Sequence, residues 1–132
     1  MSKKILIVDD ERNIRTTLKI CLSGEGYEIE TAVNGEDGLL KAEKDKYDLI
    51  FLDVKMPGLN GMKVLEEMRK RRNETNIIIM TAYGTIEDAV KAMKLHAIDF
   101  IPKPFTPMEI RKITKKIFER ENLDENKLRT FE

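Results

Sequence analysis

Three unbroken apolar runs constrain the fold of this chain more than any other feature: Ile5-Leu6-Ile7-Val8, Leu49-Ile50-Phe51-Leu52 and Ile77-Ile78-Ile79-Met80. A strand with one wet face alternates apolar and polar residues, so a continuous run predicts a strand covered by helices on both faces. Shorter strands at residues 27–32 and 100–101 complete a series of five. Helical stripes fall between them. Ile14, Leu18, Cys21 and Leu22 form one; Val64, Leu65 and Met68 another; Ile86, Ala89, Val90 and Met93 a third; Ile110, Ile113 and Ile117 a fourth. The helix near residues 34–44 has the faintest pattern, carrying only Leu39, Leu40 and Ala42.

Start signals agree with this division. Thr106-Pro107-Met108-Glu109 reads as a capping box with proline at the first helical position. Asn34 with Asp37, Asn60, and Thr85 with Asp88 also occupy cap positions. Regular alternation of strand and helix implies right-handed crossovers and a parallel sheet, a three-layer α/β domain. The pattern fades near Glu121, which places one domain at 1–121 and leaves 122–132 as a polar tail or the start of an interdomain linker, with Leu123 and Leu128 able to continue the last helix.

The 24 basic and 24 acidic side chains balance, so no net field draws this domain to nucleic acid or to a membrane surface. Arg69-Lys70-Arg71-Arg72 closes a helix, where basic residues complement the dipole. The single cysteine, Cys21, lies on an apolar stripe and excludes an intrachain disulfide framework. With no membrane-length apolar run and no signal-like start, a cytoplasmic location is expected.

Ligands of an open parallel sheet bind along its carboxyl edge. The strand ends here deliver Asp9-Asp10-Glu11, Asp53, Thr81 and Lys103. Clustered carboxylates raise one another's pKa unless a cation joins them, and hard oxygen donors suit Mg²⁺. A carboxylate held beside Mg²⁺ and a lysine is a nucleophile towards phosphorus, and Asp53 is the expected acceptor. Gly58 and Gly61 permit the turn that brings a loop carbonyl to the metal. Each piece alone reads as structural: a terminal Asp as a turn residue, Thr81 as a strand end, Lys103 as a solvated charge. Their convergence at four strand ends carries the functional reading.

The stretches "ILIVDDE", "LDVKMPGLNG", "IIIMTAYG" and "AIDFIPKPF" resemble the response-regulator receiver domain, over residues 3 to about 120. The resemblance implies the flavodoxin-like (βα)5 fold with sheet order 2-1-3-4-5. It also implies roles. Asp53 takes the phosphoryl group from a sensor histidine kinase or a histidine phosphotransfer protein. Asp10, Asp53 and the backbone carbonyl of Lys55 bind Mg²⁺, for which Mn²⁺ substitutes, and Asp9 acts through water. Lys103 contacts the phosphoryl group. Thr81 and Phe100 form the switch pair that remodels the face of helix four, strand five and helix five. A downstream protein target, or the chain's own output domain, reads that face. The peptide Lys103–Pro104 is expected to be cis. Such a protein is a signalling switch that phosphorylates and dephosphorylates itself, not a turnover enzyme.

Three positions refine the likeness. Phe100 stands where tyrosine is frequent. His96 ends a helix where glycine is common, and reads as a left-handed structural cap. Lys55 and Tyr83 flank the acceptor as long side chains expected to shield the acyl phosphate and slow its hydrolysis. With the "MTAYG" run they resemble the sporulation-phosphorelay and nitrogen-regulation types. Competing functions fit less well. A phosphatase with an aspartyl nucleophile wants an acid two residues later, where Lys55 stands. A dinucleotide or flavin binder wants a glycine-rich first junction, where Asp9-Asp10-Glu11-Arg12 stands. A receiver relative that only binds protein would be expected to lack some of the five groups, and none is missing.

Overall fold

A computed structural model describes residues 2–82 and 85–130, with side chains to residue 123. Five strands and five helices alternate: β1 (Lys4–Val8), α1 (Arg12–Ser23), β2 (Glu28–Ala32), α2 (Gly35–Lys44), β3 (Leu49–Asp53), α3 (Gly61–Lys70), β4 (Ile77–Thr81), α4 (Ile86–Lys94), β5 (Asp99–Pro102) and α5 (Pro107–Thr130). All strand pairs are parallel, in the order β2-β1-β3-β4-β5. The flavodoxin-like order implied by the resemblance is therefore the one present. The helix α5 runs past residue 121 without a break. Among the described residues no helix is long and apolar enough to cross a membrane.

The continuous apolar runs do what their pattern requires. Ile50 and Leu52 of β3 join Leu6, Val8, Ile77 and Ile79 against Val64, Leu65 and Met68 of α3. Leu49 and Phe51 join Ile5, Ile7, Ile78 and Met80 against Leu18 and Leu22 of α1 and Ile110 and Ile117 of α5. Period-two alternation thus feeds two separate cores from every central strand, and each fully buried Leu or Ile stabilises the fold by roughly 1.5–3 kcal/mol.

The caps fall where the sequence puts them. Asn34 Oδ1 accepts from the Asp37 N–H at 2.7 Å, Asn60 Oδ1 from the Lys63 N–H at 3.0 Å, and Thr106 Oγ1 from the Glu109 N–H at 3.2 Å. Thr85 and Asp88 close a reciprocal capping box at the start of α4.

Two helices depart from the expected pattern. The stripe Ile86, Ala89, Val90 and Met93 is not buried against the sheet: Ile86 is 84% exposed, Val90 and Met93 are about half exposed, and Ala92 is the buried residue of α4. Helical spacing identifies an apolar face without saying what covers it; here the sheet takes the small face and leaves the large one open. For α2 the faint pattern has the opposite cause. Its buried residues are Gly35, Gly38 and Ala42, and a Cβ on Gly38 would lie 2.7 Å from Val8 Cγ1. Glycine packs closely but adds nothing to a hydrophobic stripe.

His96 follows α4 with φ 62°, the left-handed geometry expected of it. A side chain there is strained by roughly 1–2 kcal/mol relative to glycine. Replacing His96 with Gly should therefore raise stability by about 1 kcal/mol in a urea titration. A loss of stability would show that the imidazole makes contacts worth more than the strain.

Candidate functional site

The strand ladders set the site by extending one residue past their apolar runs. The Asp9 N–H donates to the Ala32 carbonyl at 3.2 Å, and the Lys103 N–H to the Thr81 carbonyl at 2.8 Å. Asp53 is itself the last residue of β3 and pairs with Met80. Asp9, Asp53 and Lys103 thus keep the side-chain parity of Ile7, Phe51 and Ile101, and come together at the α1–α5 side of the carboxyl edge. Asp9 and Asp53 are 0% and 2% exposed. One carboxylate oxygen each from Asp9, Asp10 and Asp53 lies within 4.8 Å of the others, although Asp9 and Asp53 end strands 44 positions apart.

Among the described residues a single ammonium faces these acids. Lys103 Nζ stands 2.8 Å from Asp9 Oδ2, 3.6 Å from Asp53 Oδ2 and 3.5 Å from Glu11 Oε1. No other donor among the described residues reaches Asp9 Oδ2. Its second oxygen accepts the Glu11 N–H at 2.9 Å.

The charge balance is uneven, and the acids register it. Burial, then the carboxylate of Asp9, pushes the Asp53 pKa up to about 6, against the pull of Lys103. Asp9 is also raised, chiefly by burial, with Lys103 opposing. Burial pulls Lys103 downward, but the hydrogen bond and charge of Asp9, with Asp53 and Glu11, outweigh it and leave its pKa raised. A cluster of buried carboxylates short of positive charge, presenting only hard oxygen donors, fits a divalent cation. The arrangement can hold a metal ion, with the third wall open to solvent at exposed Asp10.

Thr81, buried, ends β4. Phe100 is half-buried and packs on the α2–α3–α4 side of the sheet. Lys55 is exposed just beyond Asp53. Tyr83 lies outside the described residues. The Lys103–Pro104 peptide is cis.

The turn after Asp53 is held more tightly than composition suggests. Gly58 has φ 77°, which a side chain would strain. The Gly61 N–H returns to the Val54 carbonyl at 3.0 Å, and a Cβ on Gly61 would lie 2.1 Å from the Asp53 carbonyl oxygen.

Three polar residues at or near this framework leave no mark in the sequence pattern. Arg15 Nη1 donates to the Asp9 carbonyl at 2.8 Å. Glu36 Oε1 accepts the Leu59 N–H at 3.0 Å. Arg69, which reads only as part of a basic helix end, donates to the carbonyls of Leu95, Asn73, Thr75 and His96. Each acts through a backbone group, which no side-chain periodicity reports.

Residues 5–115 match the family model of the response regulator receiver domain. The chain is 42% identical over 123 residues to the alkaline phosphatase synthesis transcriptional regulatory protein PhoP of Bacillus subtilis, covering 93% of this chain and 51% of that protein. It is 40% identical over 116 residues to sporulation initiation phosphotransferase F of the same organism, covering 88% of this chain and 94% of that one. Against the first of these and several similar regulators it spans only about half their length. Among solved structures, the response regulator TrrA of Thermotoga maritima, in complex with Mg²⁺ and BeF, aligns with a TM-score of 0.77 at 43% identity, over 86% of this chain and 97% of that one.

Proposed function

The chain belongs to the response regulator receiver domain family of two-component signalling, and on that premise we propose that it is a phosphorylation switch whose acceptor is Asp53. The observation that carries this reading is the pairing of a buried, charge-strained Asp53 with Lys103 Nζ at 3.6 Å, beside two further carboxylates. In the reaction a carboxylate oxygen of Asp53 forms a bond to phosphorus. The P–N bond of a phosphohistidine breaks, and the released imidazole takes a proton. Lys103 pairs with a phosphoryl oxygen, and the Thr81 hydroxyl donates to another, so charge on the transferring group is met by fixed donors.

Asp10, Asp53 and the Lys55 carbonyl would hold Mg²⁺, or Mn²⁺ in its place, with Asp9 acting through water. When bound, the metal would neutralise charge on the phosphoryl oxygens. The donor is a sensor histidine kinase or a histidine phosphotransfer protein in the cytoplasm. Phosphorylation puts close to two negative charges on the phosphoryl group in place of the single charge of the Asp53 carboxylate, at the edge where Thr81 and Lys103 lie, which favours the conformer that engages them. The α4–β5–α5 face, with Thr81 and Phe100 as its switch, would then present a changed surface to a target or an output domain. The exposed Ile86, Val90 and Met93 support that reading. The protein acts as a switch and not as an enzyme that turns over a substrate.

The test is intact mass after incubation with acetyl phosphate and Mg²⁺. One phosphoryl group should be gained by the wild type, and none by Asp53→Asn or in EDTA. Equal gain by the Asn variant would remove Asp53 as the acceptor. Millimolar Mg²⁺ alone should raise the thermal midpoint by relieving the carboxylate cluster; an unchanged melting curve would count against the metal site.

Lys55 is exposed two residues beyond the acceptor, where its side chain can screen the acyl phosphate from water. Lys55→Ala should shorten the phosphoryl lifetime by about threefold, on the order of 0.7 kcal/mol of barrier. An unchanged lifetime would leave the shielding without support.

A further inference from the structure

The loop of residues 54–60 carries the carbonyl assigned to the metal, and it leaves the sheet for a solvent-facing arc. Its base is fixed by the Gly61 N–H to the Val54 carbonyl. Its far limb is held by a different element. A Cβ on Gly35, the first residue of α2, would lie 2.1 Å from the Leu59 carbonyl oxygen, so α2 and the loop are in backbone contact there. At the next residue, Glu36 Oε1 accepts the Leu59 N–H at 3.0 Å. The same oxygen lies 3.1 Å from where a Cβ on Gly58 would stand.

Glu36 makes no ion pair among the described residues, and Leu59 is its one hydrogen-bond donor there. Its neighbour Asp37 serves α2 itself, accepting the Val33 N–H at 3.2 Å and pairing with Lys41 at 3.5 Å. The two acids of one helical turn therefore have separate duties. One ties the chain entering the helix to its first turn, and the other reaches 23 positions along the chain to the loop beyond Asp53.

We propose that Glu36 is a positioning residue for the metal-binding loop. By holding the Leu59 N–H it narrows the arc available to residues 54–60, and with it the placement of the Lys55 carbonyl, while touching neither metal nor phosphoryl group. The inference rests on the reading of Asp10, Asp53 and Lys55 as the Mg²⁺ ligands. Without Glu36 the Leu59 N–H turns to water and the loop samples more conformations, so more order has to be imposed on binding. Residues that orient metal ligands typically contribute roughly ten- to a hundredfold to affinity. Glu36 acts through one solvent-exposed hydrogen bond to the backbone, so a smaller factor applies.

Two readouts on the whole chain test this: Mg²⁺ affinity by calorimetry, and exchange of the Leu59 amide in EDTA. Glu36→Ala should weaken Mg²⁺ binding by about fivefold and speed Leu59 exchange by about tenfold. Glu36→Gln keeps an acceptor oxygen and should stay within about twofold of wild type on both. Asp37→Ala should lower the melting temperature and leave Mg²⁺ affinity unchanged. Wild-type affinity in Glu36→Ala overturns the proposal. So does an equal loss in Glu36→Gln, which would assign the effect to charge acting through space. Failure of the wild type to bind Mg²⁺ overturns the metal-site reading itself, and the inference falls with it.

Discussion

In the absence of divalent metal, Asp53→Asn should be more stable than the wild type near neutral pH, by about 2–3 kcal/mol. The Asp53 carboxyl has its pKa pushed up to about 6 in the folded protein, by burial first and then by Asp9. An unfolded-chain aspartate titrates near about 3.9. The folded state therefore holds this proton more tightly. Its contribution to stability is fully present below about pH 4 and is lost as pH rises through about 6. Near pH 7 the folded protein carries a buried charge short of positive partners. A folded-state pKa about two pH units above the unfolded one corresponds to roughly 2.7 kcal/mol. Asparagine has the same shape, stays neutral, and escapes this penalty. For a domain of this size the gain amounts to roughly 6–12 °C in melting temperature.

The discriminating experiment is urea denaturation of both proteins in EDTA, at about pH 4 and about pH 7. The two curves should nearly coincide at the lower pH and separate at the higher. Wild-type protein titrated with Mg²⁺ near neutral pH should recover much of the difference. Coincident curves at both values would mean that Lys103 already neutralises Asp53, and that the site carries no stored repulsion.

The second large effect is expected from Gly61→Ala. Alanine at a helical position normally gains about 1 kcal/mol over glycine. Here a Cβ would stand 2.1 Å from the Asp53 carbonyl oxygen, 2.8 Å from its carbonyl carbon and 2.9 Å from Val54 Cα. All three atoms are backbone, tied into β3 and its ladder with β4. They cannot move aside as a side-chain tip would. Overpacking of this kind destabilises by roughly 1–3 kcal/mol, and contacts this short against backbone belong at the upper end, so a net loss of about 2 kcal/mol follows once the helical gain is subtracted. The natural comparison is Gly24→Ala. Gly24 has φ −62° and its nearest atom to a Cβ is 3.4 Å away, so that substitution should be neutral or slightly stabilising. Equal behaviour of the two variants would show that the start of α3 can shift without disturbing the strand end.

The sheet, its order and most caps are legible in the sequence because each depends on local pattern or on a family likeness carried by local motifs. Unbroken apolar runs read as buried strands, and Asn34, Asn60, Thr85 and Thr106 announce the helices that follow them. The acidic centre is legible for a topological reason: parallel strands bring their carboxyl ends to one edge, so Asp9, Asp53 and Lys103 had to meet. The exposed face of α4 is not, because periodicity is blind to which stripe the neighbouring layer takes. The close seating of α2 leaves almost no trace because Gly35 and Gly38 contribute by lacking a side chain. Arg15, Glu36 and Arg69 are invisible for a further reason. Their partners are carbonyl or amide groups, which nearly every residue offers and no sequence distinguishes.

The division of the interior into two cores gives the central sheet a role as an insulating wall. Side chains of the two layers do not meet through it, so a perturbation near Leu18 has little direct route to Leu65. The insulation ends where the strands end. There Asp53 and Lys103 continue the parity of one layer while Thr81 continues that of the other, and the Lys103 N–H is bonded to the Thr81 carbonyl across the boundary. A charge arriving at this rim is felt by both compartments together, whereas a charge of the same size over the middle of either helical layer would address only one.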